Sequence, residues 1–287
     1  MNEMTTAELL LYTTVKLSLT KHGQNVGSGT GFFFNFAVDG NIYAPGVVTN
    51  KHVIAGADTV TANCHLTESS VLCGKFLPCH MAIREGSYIL HPDPNVDLCA
   101  IFFGPIKEEA KSKGLEIFWP GISFELIPEE HDWDYFDAIE DVLMIGCPRG
   151  IYDEANNLPI IRRGITASSL AKKYQGKNEF MVDMACFPGS SGSPIFLYDR
   201  NGYHDRKTKS YSIGASRLKL VGILFSGPLI QNDGSIILAE PPKIYINSMM
   251  HLGNAIRSSE LRIIDKEVRK KFGTLSSPST EFGAPIK

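Results

Sequence analysis

Short apolar stretches, most of them four to eight residues long, recur along this chain with turn-forming residues between them. Examples are Thr30–Ala37, Gly46–Thr49, Thr59–Leu66, Ser87–Leu90 and Leu98–Phe103, then Val142–Gly146, Phe180–Met184, Pro194–Tyr198 and Leu218–Phe225. They are rich in Val, Ile and Phe and too short for buried helices, so they read as strands. Many such strands in one chain need a barrel or a sandwich to bury their apolar faces. The 26 Gly and 16 Pro among 287 residues supply the punctuation. The expected class is therefore all-β.

Helical patterning is confined to three places. Thr5–Thr14 reads as a short leading helix and Lys107–Gly114 as a charged surface segment. Near the end, Ser259 is positioned to cap Glu260–Phe272, with Leu261, Ile264, Val268 and Phe272 on one face and Gly273 as the stop. Residues 274–287, rich in Ser, Pro, Thr and Gly, read as a mobile tail. Between the two strand-rich halves, 104–140 is acidic and irregular.

Charge narrows the function classes. Lys plus Arg total 28 and Asp plus Glu 31, a net charge of −3, which argues against a nucleic-acid binder. No apolar run approaches the ~18 residues of a membrane span. The start, Met1–Leu11, lacks the basic region of a secretory signal. A cytoplasmic protein is expected, with its six cysteines as free thiols.

Three segments carry chemistry. In Thr49-Asn50-Lys51-His52-Val53 a histidine follows an apolar strand. In Asp97-Leu98-Cys99-Ala100 an acid heads one. In Gly189-Ser190-Ser191-Gly192-Ser193-Pro194 a glycine-flanked serine precedes one. A serine hydroxyl is a poor nucleophile at neutral pH. It needs an imidazole to take its proton and a carboxylate to hold that imidazole in the right tautomer. It also needs backbone N–H donors facing the developing oxyanion. Gly189 permits the tight turn, and the N–H groups of Gly189 and Ser191 are the expected donors. Each segment alone is unspecific; the order His, Asp, Ser, each at a strand end, is not.

These segments resemble the chymotrypsin-like serine peptidase superfamily, in particular its bacterial trypsin-like branch related to high-temperature-requirement-type proteases. Gly27-Ser28-Gly29-Thr30-Gly31-Phe32, Ile145-Gly146-Cys147-Pro148-Arg149-Gly150 and Arg163-Gly164-Ile165-Thr166 are similar to further strands of that branch, so the likeness runs over about 26–246. It implies two packed six-stranded antiparallel β-barrels with a C-terminal helical extension and an active site in the cleft between them. The division expected is a leader over 1–25, a first barrel over 26–106, an acidic linker over 107–140, a second barrel over 141–250, and a C-terminal helix and tail over 251–287. No PDZ domain is recognisable. His52, Asp97 and Ser191 would be the catalytic triad of a serine endopeptidase acting without cofactor or metal on an extended peptide. A bacterial source is implied. Phe225, Ser226 and Gly227 would line the substrate backbone by β-augmentation.

The departures are informative. Ser190 stands where zymogen-activated members have Asp, so no such activation is expected. Ala185, six residues before Ser191, stands where trypsin-like specificity needs a carboxylate. With Leu238 or Ala239 on the far wall, this predicts an uncharged, apolar P1 residue. The alternative to an enzyme is a catalytically silent relative that binds peptides. A zinc site from Cys64, His65, Cys73, Cys79, His80 and His91 is disfavoured because no Cys-x-x-Cys pair exists. Gly27–Gly31 fits no nucleotide-loop spacing, and the Ser191 segment is not a Gly-x-Ser-x-Gly elbow. Segment 104–140 and the C-terminal helix are candidates for docking a regulatory partner.

Overall fold

The computed structural model describes residues 4–227, 229–235 and 243–273. Leu238, Ala239 and the expected tail 274–287 lie outside the described residues. The elements in chain order begin with helix α1 (Thr6–Tyr12), β1 (Thr14–Lys21), β2 (Gln24–Asp39), β3 (Ile42–Thr49), the one-turn helix α2 (Lys51–Ile54) and β4 (Thr59–Glu68). There follow β5 (Val71–Ala82), β6 (Tyr88–Leu90), β7 (Cys99–Phe102), α3 (Gly104–Ser112) and β8 (Glu116–Ile117). The second half holds β9 (Asp141–Gly146), β10 (Ile160–Thr166), β11 (Glu179–Asp183), β12 (Pro194–Asp199), β13 (Gly202–Asp205), β14 (Ser210–Ile213) and β15 (Arg217–Ser226). The hairpin β16 (Leu229–Ser235) and β17 (Lys243–Met249), then β18 (Leu252–Arg257) and α4 (Leu261–Phe272), complete it.

The second half closes into a six-stranded barrel in the order β10-β11-β18-β15-β12-β9. The first half is an eight-stranded sheet in the order β5-β4-β1-β2-β3-β7-β6, with β8 on β4. Its two ends wrap one core. Cys79 and Met81 of β5 share a cluster with Ile101 of β7, together with Leu17, Phe33 and Val47 from the middle strands. Its hydrogen-bond ladder does not join β5 to β6. The fold is thus the expected all-β double-barrel architecture with a C-terminal helix.

Two expected boundaries move. β18 lies beyond 250 and closes the second barrel, pairing with both β11 and β15. β1 lies inside the expected leader and pairs with β2 and β4. Its sequence Thr14-Val-Lys-Leu-Ser-Leu-Thr-Lys alternates with period two. Val15, Leu17 and Leu19 are buried while Lys16, Ser18 and Thr20 are only half-buried.

β2 explains how the halves join. Phe33 faces the first-half core, stacked on Trp119 at 4.3 Å. Phe32, Phe34 and Phe36 face the other way, into a cluster shared with Ile145, Phe196, Leu220, Ile223 and Ile256 of the second half. A strand with water on neither face needs apolar residues at consecutive positions, which is what Phe32-Phe33-Phe34 provides. Each fully buried Phe contributes about 2–3 kcal/mol. Leu10 of α1 and Leu261, Ile264 and Val268 of α4 complete the shared cluster.

Thr5 caps α1 through a reciprocal box with Glu8. The expected cap at Ser259 does not form. The chain enters α4 through a 3-10 turn at Ser258–Glu260, and Glu260 occupies the cap position with helical dihedrals. Glu260 is held there by Asn178 Nδ2 at 2.6 Å and His91 Nε2 at 2.9 Å, so the helix start is fixed from the body of the protein. Gly273 ends the helix at φ 69°, in the left-handed region. In the linker, Trp119, Ile122, Leu126, Ile127, Trp133 and Phe136 are buried. The linker is therefore a strap packed through these six side chains, while Tyr135 and Ile139 stay exposed.

Candidate active site

His52 sits on the single turn α2. Val53 and Ile54 anchor that turn in the first-half core and leave His52 half-exposed. Asn50 precedes the turn in extended conformation, fully buried. Its carboxamide does not cap the helix. It donates instead to the main-chain carbonyl of Asp97 at 2.7 Å. Asp97 returns the contact. Its Oδ1 accepts the His52 backbone N–H at 3.0 Å, and its Oδ2 lies 2.5 Å from His52 Nδ1. The carboxylate thus grips the histidine by main chain and ring together. Burial pushes the Asp97 carboxyl up, but the His52 ring and the backbone N–H groups of His52 and Lys51 outweigh it and hold it below its ordinary value. An ionised Asp97 can only accept, so Nδ1 carries the proton and Nε2 is left as the acceptor.

Ser191 lies in the turn before β12. Its hydroxyl donates to the carbonyl of Phe225 at 3.4 Å and makes no hydrogen bond to His52. The turn is fixed by its carbonyls. Pro188 O accepts from Arg149 N–H at 2.6 Å, and Ser190 O accepts from Ser193 N–H at 3.0 Å. A trans peptide directs its N–H opposite to its C=O, so these contacts set the directions of the Gly189 and Ser191 amides. Neither amide donates a hydrogen bond among the described residues. Gly189 has φ 87°, and a Cβ there would lie 2.8 Å from Arg149 N.

Gly29 and Thr30 bring the two segments to one place. The Thr30 amide donates to Ser191 O at 3.0 Å, and its hydroxyl donates to Gly189 O at 2.9 Å while accepting from Cys147 N–H at 2.9 Å. Its carbonyl takes the hydroxyl of Thr49 at 2.8 Å, three residues before His52. Gly29 lies so close to Val53 that a Cβ would approach Cγ1 to 2.6 Å. One strand of the first half therefore holds the serine turn on one side and the histidine turn on the other. Thr30, Thr49 and Asn50 belong to segments visible in the sequence, but nothing there revealed their positioning role.

Of the expected substrate-binding residues, Ala185 is half-buried in the turn after β11, Phe225 and Ser226 end β15, and Gly227 follows it. Phe225 falls in a register shift of the β15–β18 ladder, which turns its carbonyl to Ser191. Ser226 Oγ accepts from Asn254 Nδ2 at 3.1 Å. The Cys186 side chain lines the same wall, since a Cβ at Gly227 would be 3.8 Å from Cys186 Cβ and one at Gly253 only 2.5 Å from its Sγ. Ser190, at the zymogen position, is fully buried with its hydroxyl unpaired.

The candidate zinc ligands do not assemble. His65 bonds to Asn157 O and His80 to Thr61, and His91 Nε2 lies 2.9 Å from a Glu260 carboxylate oxygen. Among the described residues no three His, Cys, Asp or Glu side chains form a metal-binding group. Nor is any described helix long and apolar enough to cross a membrane.

A family model for the trypsin-like peptidase domain matches residues 29–202, a span that includes His52, Asp97 and Ser191. The chain belongs to the trypsin-like peptidase family. Among solved structures this family member is similar to the serine endoprotease from Yersinia pestis, with 16% identity, a TM-score of 0.45, and coverage of 94% of this chain and 69% of that one. Comparison with curated proteins finds no match.

Proposed function

We propose that this trypsin-like protein is a serine endopeptidase with Ser191 as nucleophile, His52 as general base and acid, and Asp97 as the group that orients His52. The observation that carries this reading is the double grip of Asp97 on the main chain and Nδ1 of His52. It leaves Nε2 as the acceptor, on the same strand support that holds the Ser191 turn.

Rotation about the Ser191 side-chain bond exchanges the long contact to Phe225 O for one to His52 Nε2. Such contacts commonly tighten only when substrate is bound. Ser191 Oγ then attacks the scissile carbonyl while His52 takes its proton. The N–H groups of Gly189 and Ser191 receive the oxyanion. His52 next protonates the leaving amine, and water resolves the acyl-enzyme by the reverse sequence. The substrate lies extended along Phe225-Ser226-Gly227, adding its backbone to the end of β15. Ala185 offers no carboxylate at the pocket base, so P1 residues other than Arg and Lys are preferred.

The test is hydrolysis of a mixed-sequence peptide library, read by mass spectrometry, with wild-type and Ser191→Ala protein. Cleavage by the wild type that the variant lacks supports the reading. Equal cleavage by both, or none by either, contradicts it and favours a peptide-binding relative without catalysis.

A further inference from the structure

Arg162 and Arg163 are neighbours in β10 and face opposite ways. Arg163 points outward and pairs with Asp141 at 3.1 Å. Arg162 turns toward the serine side of the barrel. Its Nε is buried with no hydrogen-bond partner. Among the described residues the arginine ion pairs are those of Arg163, Arg217, Arg262 and Arg269, so no carboxylate answers Arg162. A guanidinium nitrogen withdrawn from water without a partner is unfavourable until an acceptor reaches it.

Its surroundings are the wall beside Ser191. The guanidinium lies 5.0 Å from the Phe187 ring, four residues before Ser191. Arg149 lies on the same ring at 5.6 Å, and His251 meets it edge-on at 5.9 Å. Burial pushes the Cys186 thiol up to about 12, and the charge of Arg162 draws it partly back. Cys186 itself abuts Gly227, two residues past the Phe225 carbonyl that touches Ser191 Oγ. Phe225, Gly227 and Cys186 thus form one wall beside the nucleophile, and Arg162, on the ring of Phe187 next to Cys186, lies within electrostatic reach of that wall.

We propose that Arg162, with Arg149 beside it, selects substrates carrying aspartate or glutamate at P1. The narrow wall of Gly227, Gly253 and Cys186 admits a short side chain. The planar guanidinium fork then receives the carboxylate and supplies the missing counter-charge. Ala185 alone pointed to an uncharged P1; the cation beside its neighbour Cys186 shifts the expectation to an acidic one. This inference rests on the endopeptidase reading.

The experiment compares matched peptides with Glu, Gln, Leu or Lys at P1, cut by wild-type, Arg162→Ala and Ser191→Ala protein. The expected wild-type kcat/KM for Glu exceeds that for Gln by at least about tenfold, and the advantage shrinks with added salt. In Arg162→Ala the Glu:Gln ratio falls toward one. That ratio does not depend on how much of the variant folds, and the wild-type salt series needs no variant. Wild-type preference for Gln, Leu or Lys overturns the inference while leaving the endopeptidase reading intact. Cleavage of no peptide contradicts that reading, and the inference falls with it.

Discussion

The main-chain N–H of Thr30 donates to the carbonyl of Ser191 at 3.0 Å, joining a strand of the first half to the serine turn of the second. The Thr30 hydroxyl adds two more contacts, to Gly189 O and Cys147 N–H. Thr30→Val keeps the shape and deletes the hydroxyl, leaving a buried donor and acceptor unanswered at about 1–3 kcal/mol. Because the Gly189 carbonyl helps fix the serine turn, turnover should fall about 10–100-fold, and Thr30→Ser should restore most of it. Peptidase assays of the two variants check this. Equal activity in both would remove the hydroxyl from the positioning scheme.

Gly192 is the tightest point of that turn. It has φ 89°, and an added Cβ would fall 2.0 Å from the Thr30 carbonyl oxygen, a backbone atom that cannot swing away. Gly192→Ala should therefore lose about 2–4 kcal/mol of stability, a Tm drop of about 5–10 °C, together with activity. Calorimetry checks it. An unchanged Tm would mean that the halves can separate there without cost.

Asp97 links chemistry to acid stability. Its carboxyl titrates below the ordinary 3.8 because the contacts from His52 and Lys51 outweigh burial. Between the folded and unfolded values the unfolded chain binds more protons, so this contribution is fully present above about pH 4–5 and fades as pH falls through the folded value. Urea unfolding of wild type and Asp97→Asn should show the widest gap near neutral pH and a narrower one near about pH 3. A gap that widened in acid would contradict the sign. The same variant should lose about four orders of magnitude in kcat, and Ser191→Ala about six, the losses seen for the corresponding residues of other serine proteases.

The cysteines differ in access. Cys64, Cys79, Cys99, Cys147 and Cys186 are buried, whereas Cys73 is half-exposed. Burial pushes the Cys147 thiol up to about 12 and raises Cys99 further. A thiolate-seeking reagent should modify Cys73 alone in the folded protein, with the others following only on unfolding. Peptide mapping after brief treatment decides it. Early modification of Cys186 would mean that the pocket wall opens to solvent.

Much of this was legible from local pattern. His52, Asp97 and Ser191 each sit at a strand end, where an apolar run in the sequence gives way to a polar one. The all-β class followed from strand length and composition, and the double barrel from the resemblance carried by the His52, Asp97 and Ser191 segments. Other features escaped because they are decided by distant partners. Glu260 rather than Ser259 begins the last helix because His91 and Asn178 hold it there. β1 carries a period-two alternation, yet it lies within the expected leader, and only its pairing with β2 and β4 makes it part of the barrel. β18 is short and polar at Asn254, and its place becomes evident only when β11 and β15 flank it. Arg162 looked like any strand arginine; only the folded barrel separates it from Asp141, the partner of its neighbour.

The central claim is that Ser191 is an activated nucleophile, and a fluorophosphonate probe tests it most directly. Wild-type and Ser191→Ala proteins are treated alike and any adduct is located by mass spectrometry. A single adduct is expected on Ser191 of the wild type and none on the variant. An unlabelled wild type, or an adduct that persists in the variant, would contradict it.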